Sequence, residues 1–107
     1  MALKPKFSII TITYNAASVI RPTLDSVISQ TYTNYEYILF DGGSMDDTVA
    51  IAKASGIGFA HIISERDKGQ TDAINKGFKL AKGELVGWIN SDDMLYPYCV
   101  EEIVNLY

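Results

Sequence analysis

Several residue types that carry specialised chemistry are scarce in this chain of 107 residues. One cysteine, Cys99, excludes an internal disulfide, and one histidine, His61, leaves no Cys/His pattern for a zinc site. An unpaired cysteine suits a reducing compartment, and the amino-terminal residues lack the apolar centre of a secretory signal. We therefore expect a cytoplasmic protein, with peripheral attachment to the inner membrane left open for a full-length form.

Long apolar runs and an excess of basic charge are also lacking. No run approaches the 18 or so apolar residues that a membrane span needs. Nine Lys and Arg against thirteen Asp and Glu give a net charge of -4, which argues against nucleic acid and anionic lipid as partners. Because no linker-like or repeated segment divides the chain, we predict one domain over residues 1–107.

Short apolar runs instead alternate with amphipathic segments, which is typical of βαβ units. We predict strands at 7–13, 35–40, 59–63 and 85–89. Helices are predicted at 18–30, 47–55 and 70–81, with a fourth after Pro97. Crossovers of this length join parallel strands. The expected fold is therefore α/β: a Rossmann-like parallel sheet of order 3-2-1-4 with flanking helices.

Polar residues follow all four predicted strands, at 13–15, 41–44, 64–69 and 90–93. Ligands of open parallel sheets bind beyond the carboxyl ends of the strands, where the strand order reverses, so we expect the site there. Carboxylates gathered at one edge repel each other, which raises the pKa of at least one unless a cation is bound. Oxygen ligands with little His or Cys favour Mg²⁺ or Mn²⁺.

The acidic residues of these loops differ in what else they could do. Asp92 and Asp93 precede the last predicted helix by too many residues to be explained as its N-caps. Gly42 and Gly43, after Asp41, permit a close backbone approach or a positive φ, although an ordinary turn is an equal alternative. The segment 44–47 fits an S-x-x-D capping box for the second helix.

The loop after the third strand holds Arg66 and Lys68, which alternate with Glu65 and Asp67. These side chains form either solvated ion pairs or a contact with a phosphate or base, helped by the following helix N-terminus. The sequence leaves both readings open.

Most aromatic and apolar residues are assigned to the interior. We expect Trp88, Tyr35 and Tyr37 in the core, and Tyr14 and Tyr96 beside the loops, where a ring could stack. His61 is expected in the core or at an edge, and Cys99 as a buried bystander.

Five runs of the sequence together resemble glycosyltransferase family 2, whose members have the GT-A fold. The runs lie at residues 8–15, 26–32, 41–48, 67–77 and 83–97, in the family's order, and cover nearly the whole chain. The resemblance implies an enzyme that transfers a sugar from a nucleotide diphosphate sugar to an acceptor hydroxyl, with inversion and with Mg²⁺ or Mn²⁺. The acceptor and the oligomeric state are not implied.

The resemblance also assigns site residues. Thr13, Tyr14 and Asp41 would hold the base, and the acidic motif at Asp92 and Asp93 the ribose and the metal, one carboxylate on each. Asn90 stands where the family often has Asp, which leaves the ligand set open. The nucleotide-binding residues expected in full are Thr13, Tyr14, Asn15, Asp41, Gly43, Arg66, Asp67, Lys68, Asn75 and Asp92, with Asp92 and Asp93 as metal ligands.

Similar inverting enzymes take the proton from the acceptor with a carboxylate base beyond the acidic motif. We therefore expect this chain to be the donor-binding part of a glycosyltransferase, truncated before the acceptor half and inactive alone. The alternative is a non-catalytic nucleotide-binding or receiver-like signalling module. A receiver needs acidic residues directly after strand 1, where Thr13, Tyr14 and Asn15 stand instead. A dinucleotide fold needs G-x-G-x-x-G there, which is also absent.

Overall fold

A computed structural model describes residues 5–66 and 69–106. Strands and helices alternate along this part of the chain, and each predicted bound lies within two residues of the observed one. The elements are β1 (Phe7–Thr13), α1 (Ile20–Ile28), β2 (Tyr35–Asp41), α2 (Thr48–Ala54), β3 (His61–Ser64), α3 (Gln70–Leu80), β4 (Leu85–Asn90) and α4 (Cys99–Leu106). The sheet is parallel with the order β3-β2-β1-β4, so the predicted fold class is confirmed.

β1 is the centre of the sheet, and all seven of its residues are buried. It pairs with β2 from Phe7 opposite Tyr35 and with β4 from Phe7 opposite Leu85. Its isoleucines and threonines suit a strand covered on both faces, because β-branched side chains pack well on a pleated surface. The order of the chain reverses between β1 and β4, which places the switch point at the carboxyl end of β1.

The two faces of the sheet are covered unequally. Residues of α1, α2 and α4 pack on one face, around Leu24, Ala52 and Val104, and α3 alone covers the other face, around Ile10 and Phe40. Gly77 brings α3 close to β1, because a Cβ added there would lie 2.8 Å from Ile10 Cγ2. The helix therefore lies over β1 and β2 and leaves the same face of β4 open.

Three predictions about the core need correction. Trp88 is 43% exposed, since it lies on the face of the edge strand β4 that α3 does not reach. Tyr35 is only partly buried against the core, whereas Tyr37 is buried as predicted. Cys99 is half-buried at the start of α4 rather than fully enclosed, and it is a free thiol. His61 begins the edge strand β3 and is half-buried, as expected of an edge residue.

Candidate functional site

An open cleft of about 970 Å³ lies at the carboxyl end of the sheet. The segments that follow β1, β2 and β4 line it, together with Arg66 after β3 and the start of α3. Its lining residues are Ile12, Thr13, Tyr14, Asn15, Ala16, Val19, Gly42, Gly43, Met45, Arg66, Gly69, Ala73, Asn90, Ser91 and Asp92. The four polar segments identified in the sequence therefore meet at one place, as the strand order requires.

Asp41 lies beneath this cleft and is fully buried. Its Oδ1 accepts hydrogen bonds from Thr13 Oγ1 at 2.7 Å and Ser44 Oγ at 2.5 Å. Its Oδ2 accepts from the backbone N–H groups of Gly43 (3.0 Å) and Ser44 (2.7 Å) and from Ser64 Oγ at 2.8 Å. The carboxylate thus joins the carboxyl ends of β1, β2 and β3.

These donors decide the charge of Asp41. Burial raises its pKa, but the hydrogen bonds from Ser44, Thr13 and Ser64 outweigh burial, and the pKa lies below its ordinary value of 3.8. Here the expected rise in a carboxylate pKa does not occur, because hydroxyl and amide donors, rather than a second carboxylate, surround Asp41. The group is a stable buried anion that fixes the floor of the cleft.

The segment after β2 does not form the predicted capping box. Ser44 donates to Asp41, and the N-cap residue of α2, Asp47, makes no side-chain capping bond. Asp46 instead accepts from Thr48 N at 3.0 Å and from Ala17 N at 3.1 Å. Ser44 therefore belongs to the floor of the site, and only Asp46 supports the start of α2.

Asn15 connects two walls of the cleft. Its backbone N–H donates to Ser44 Oγ at 2.7 Å, and its side-chain Oδ1 accepts from Met45 N at 2.8 Å. It has a positive φ of 49°, which asparagine tolerates better than most residues. The neighbouring Tyr14 is 62% exposed, so its ring is available on the wall of the cleft.

Two glycines shape the opposite side of the cleft. Gly43 has a φ of 88°, which favours glycine, whereas a Cβ added there would lie at an ordinary contact distance of 3.6 Å from the backbone of Arg66. The positive φ, rather than a close backbone approach, therefore accounts for glycine at this position. Gly69, with a φ of 115°, precedes α3 and directs the N-terminus of that helix towards the cleft. A helix N-terminus favours anions.

Glu65, in the loop after β3, forms an ion pair with Lys76 of α3 at 3.2 Å.

One of the two acidic residues in the loop after β4 lines the cleft. Asp92 lines the cleft, while Asp93 is exposed outside it and donates its backbone N–H to Asn90 O at 3.1 Å. In the described part of the chain no three Asp, Glu, His or Cys side chains cluster closely enough to enclose a metal ion. This arrangement fits a hard cation held by one carboxylate and by oxygens of a bound phosphate, rather than a cage made of protein alone.

The other predicted site residues have different positions. Asn75 is exposed on α3 and is not among the residues that line the cleft. Asp67 and Lys68 lie outside the described residues. Tyr96 is 85% exposed but does not line the cleft.

Sequence reasoning missed residues that support the site from a distance. Ser64 holds Asp41, and Thr23 and Gln30 hold the acidic loop through hydrogen bonds to its backbone. The available signal was a set of polar residues at helical spacing on the otherwise apolar side of α1, at positions 23, 26 and 30.

Fold and cleft together define an open parallel α/β domain with its candidate site at the topological switch point. The family model described as Glycosyl transferase family 2 matches residues 8–107. The chain therefore belongs to glycosyl transferase family 2, and its sheet is that of the GT-A fold.

Curated relatives agree with this family. An uncharacterised glycosyltransferase of Rickettsia typhi is 38% identical over 102 residues, which cover 95% of this chain and 32% of the relative. A PGL/p-HBAD biosynthesis glycosyltransferase of Mycobacterium bovis is 43% identical over 95 residues, which cover 86% of this chain and 37% of the relative. The chain thus spans about a third of the length of these relatives.

Solved structures show the same sheet. TarS 1–349 of S. aureus in complex with UDP-GlcNAc superposes with a TM-score of 0.84 at 26% identity, over 94% of this chain and 30% of that one. The mannosyltransferase PcManGT of Pyrobaculum calidifontis, in complex with GDP-Man and Mn²⁺, superposes with a TM-score of 0.82 at 25% identity, over 96% of this chain and 31% of that one.

Proposed function

We propose that this chain binds the nucleotide diphosphate sugar donor of a glycosyltransferase that transfers the sugar to an acceptor hydroxyl. The observation that carries the proposal is the composition of the cleft lining. It combines the exposed ring of Tyr14, the basic residue Arg66, the N-terminus of α3 and one acidic residue, Asp92. Neighbours of the same fold are solved with UDP-GlcNAc and with GDP-Man, which supports a donor of this class.

The free thiol of Cys99 supports a reducing, cytoplasmic setting. Among the described residues, no helix is long and apolar enough to cross a membrane.

Each wall of the cleft suits one part of the donor. The exposed ring of Tyr14 stacks on the base, and the Asp41 network beneath it keeps the wall rigid. Arg66 and the N-terminus of α3, which begins after Gly69, face the diphosphate with positive charge. Arg66 follows β3 and Asp92 follows β4, the two outer strands of the sheet, and both residues line the cleft.

Asp92 is the residue that would hold Mg²⁺ or Mn²⁺ on the diphosphate. A divalent cation there supplies stabilisation of the negative charge that develops on the leaving nucleotide diphosphate. Asp93 is exposed and is not among the residues that line the cleft, so we assign the metal to Asp92 and Asp93 to solvent. A Mn²⁺ ion in the PcManGT complex supports metal use in proteins of this fold.

The course of the transfer is taken from the family resemblance, which implies direct displacement by the acceptor hydroxyl with inversion. Asp92 is the single acidic residue among the described residues that line the cleft, and it is assigned to the cation. We therefore assign the base for the hydroxyl to a residue outside this lining, and we expect this chain alone to bind the donor without transferring the sugar.

Calorimetric titration with UDP and with GDP, each with and without Mn²⁺, tests the proposal. We expect one nucleotide to bind, more tightly with Mn²⁺, and Asp92→Asn to remove the Mn²⁺ enhancement while leaving metal-free binding unchanged. Asp93→Asn is the matched control, since it removes the same charge one residue away, and it should retain the enhancement. Binding of neither nucleotide contradicts the donor assignment, and an Asp92→Asn variant with full enhancement contradicts the metal assignment.

A further inference from the structure

Three polar side chains on or just after α1 contact the backbone of the acidic loop, and we call them the α1 polar clamp: Thr23, Ser26 and Gln30. Thr23 is fully buried, Gln30 is 5% exposed and Ser26 is half-buried. Their spacing of three and four residues places them on one side of the helix. That side faces residues 91–100 of the chain.

The contacts of the clamp run along the whole loop. Ser26 Oγ accepts from Leu95 N at 3.1 Å and donates to Thr23 O at 2.8 Å. Gln30 Nε2 donates to Tyr96 O at 2.7 Å, and its Oε1 accepts from Val100 N at 3.0 Å. The loop between β4 and α4 has no regular secondary structure, so side chains of α1 supply partners that a strand or helix would otherwise provide.

Thr23 has the most specific position in the clamp. Its Oγ1 lies 2.8 Å from Ser91 O and 2.5 Å from Asp93 O, the carbonyl oxygens of the residues before and after Asp92. The single hydroxyl proton is shared between these two acceptors, which fixes the peptide plane before Asp92 and the plane after Asp93. The plane between the two residues is held by the hydrogen bond from Asp93 N to Asn90 O at 3.1 Å. The direction in which the Asp92 carboxylate leaves the backbone depends on those planes.

We infer that Thr23 is a positioning residue for Asp92, and that the α1 polar clamp sets the strength of metal-dependent nucleotide binding in the cleft. The inference rests on the proposed function, because it takes Asp92 as the carboxylate that meets the cation. Thr23 itself is buried and does not line the cleft, so it acts only through the loop backbone. Both hydrogen bonds are made by the hydroxyl of Thr23, so this role requires a hydroxyl at position 23 and does not require the methyl group.

Thr23→Val and Thr23→Ser form a matched pair for the test, because valine keeps the shape without the hydroxyl and serine keeps the hydroxyl without the methyl group. Calorimetric titration with UDP or GDP, whichever the wild type binds, is run with and without Mn²⁺ on each variant. We expect Thr23→Val to weaken binding in Mn²⁺ by about 10-fold, as losses around metal ligands typically do. Thr23→Ser should restore it, and metal-free binding should stay within about twofold in both, unlike the uniform loss that general destabilisation causes.

Each outcome decides the inference. A folded Thr23→Val variant with the full Mn²⁺ enhancement overturns it, while the proposed function stands. A wild-type chain that shows no Mn²⁺ enhancement overturns the metal role of Asp92 and this inference together. If Thr23→Val does not fold, Ser26→Ala decides instead, since it removes the bonds to Leu95 and Thr23 at a half-buried position. An unchanged enhancement in Ser26→Ala then overturns the inference, and a reduced one supports it.

Discussion

Replacing Asp41 by asparagine tests whether a buried anion holds the strands together. The substitution keeps the size and shape of the side chain but removes its charge and turns one oxygen into a donor. Asp41 has no exposed surface and accepts five hydrogen bonds, two at Oδ1 and three at Oδ2. The amide nitrogen of the asparagine fits best at the position of Oδ1, because the hydroxyls of Thr13 and Ser44 can turn to accept hydrogen bonds from it. The amide oxygen then takes the position of Oδ2 and keeps the three hydrogen bonds there.

The size of the effect follows from those three bonds. A hydrogen bond to a charged acceptor contributes about 1.5–3 kcal/mol, and one to a neutral acceptor about 0.5–1.5 kcal/mol. Each of the three bonds at Oδ2 should therefore lose about 1 kcal/mol of stabilisation when the charge is removed. We expect Asp41→Asn to lower the free energy of unfolding by about 3 kcal/mol at pH 7. In a domain of this size that corresponds to a fall in Tm of more than about 10 °C.

Urea denaturation followed by circular dichroism measures this difference, with Asp25→Asn as the control. Asp25 is an exposed residue of α1, so its substitution should change the free energy of unfolding by less than about 0.5 kcal/mol. A loss below about 1 kcal/mol in Asp41→Asn would refute the charge-assisted network.

The effect should also depend on pH in one direction. The pKa of Asp41 is lower in the folded chain than its ordinary value of 3.8, so the stability that its ionised form contributes is complete above that value. It is lost as the pH falls through 3.8 towards the lower pKa of the folded state. The difference between the wild type and Asp41→Asn should therefore shrink on acidification below about pH 4, and a constant difference would contradict the assignment.

Two further substitutions test the packing and the surface charges. A Cβ on Gly83 would lie 2.7 Å from Lys6 O, a backbone atom that cannot rotate away, so Gly83→Ala should destabilise the chain by about 3 kcal/mol in urea denaturation. Gly58→Ala, where a Cβ meets nothing within 4 Å, should leave stability within about 1 kcal/mol, and equal effects would refute the packing argument. Lys76→Met removes ion pairs to Glu65 and Asp72 that are partly exposed, so the urea midpoint should not change measurably at low or high salt. A clear salt-dependent loss would show that those pairs carry stability.

The strand order could be predicted because each signal was local. The β-branched run at 7–13 and the helical spacing at 70–81 each identify an element without knowledge of its neighbours, and the handedness of crossovers then limits the topology. The meeting of four polar segments at one cleft follows from the same rule, since parallel strands all end at the same edge.

Predictions failed where a residue's environment depends on distant partners. Trp88 suggested a core residue by its type, but the coverage of β4 depends on where α3 lies across the sheet. Ser44 matched a local capping pattern, yet its hydroxyl donates to the buried Asp41 carboxylate and accepts from Asn15 N, rather than accepting from an N–H of α2. The polar spacing at positions 23, 26 and 30 marked Thr23 as unusual, but its partners could not be predicted, because its acceptors are 68 and 70 residues away.

The central place of β1 also governs the order of events during folding. β1 precedes the other three strands of the sheet along the chain, yet its second neighbour is β4. Both edges of β1 are therefore paired only after Leu85 lies opposite Phe7. Contacts between such distant residues close slowly, and folds dominated by them form in roughly milliseconds to seconds. Until β4 pairs with it, the most completely buried strand of the described sheet has an open edge that another chain could pair with. The arrangement that places the cleft at the switch point therefore leaves β1 open to aggregation until β4 has been synthesised.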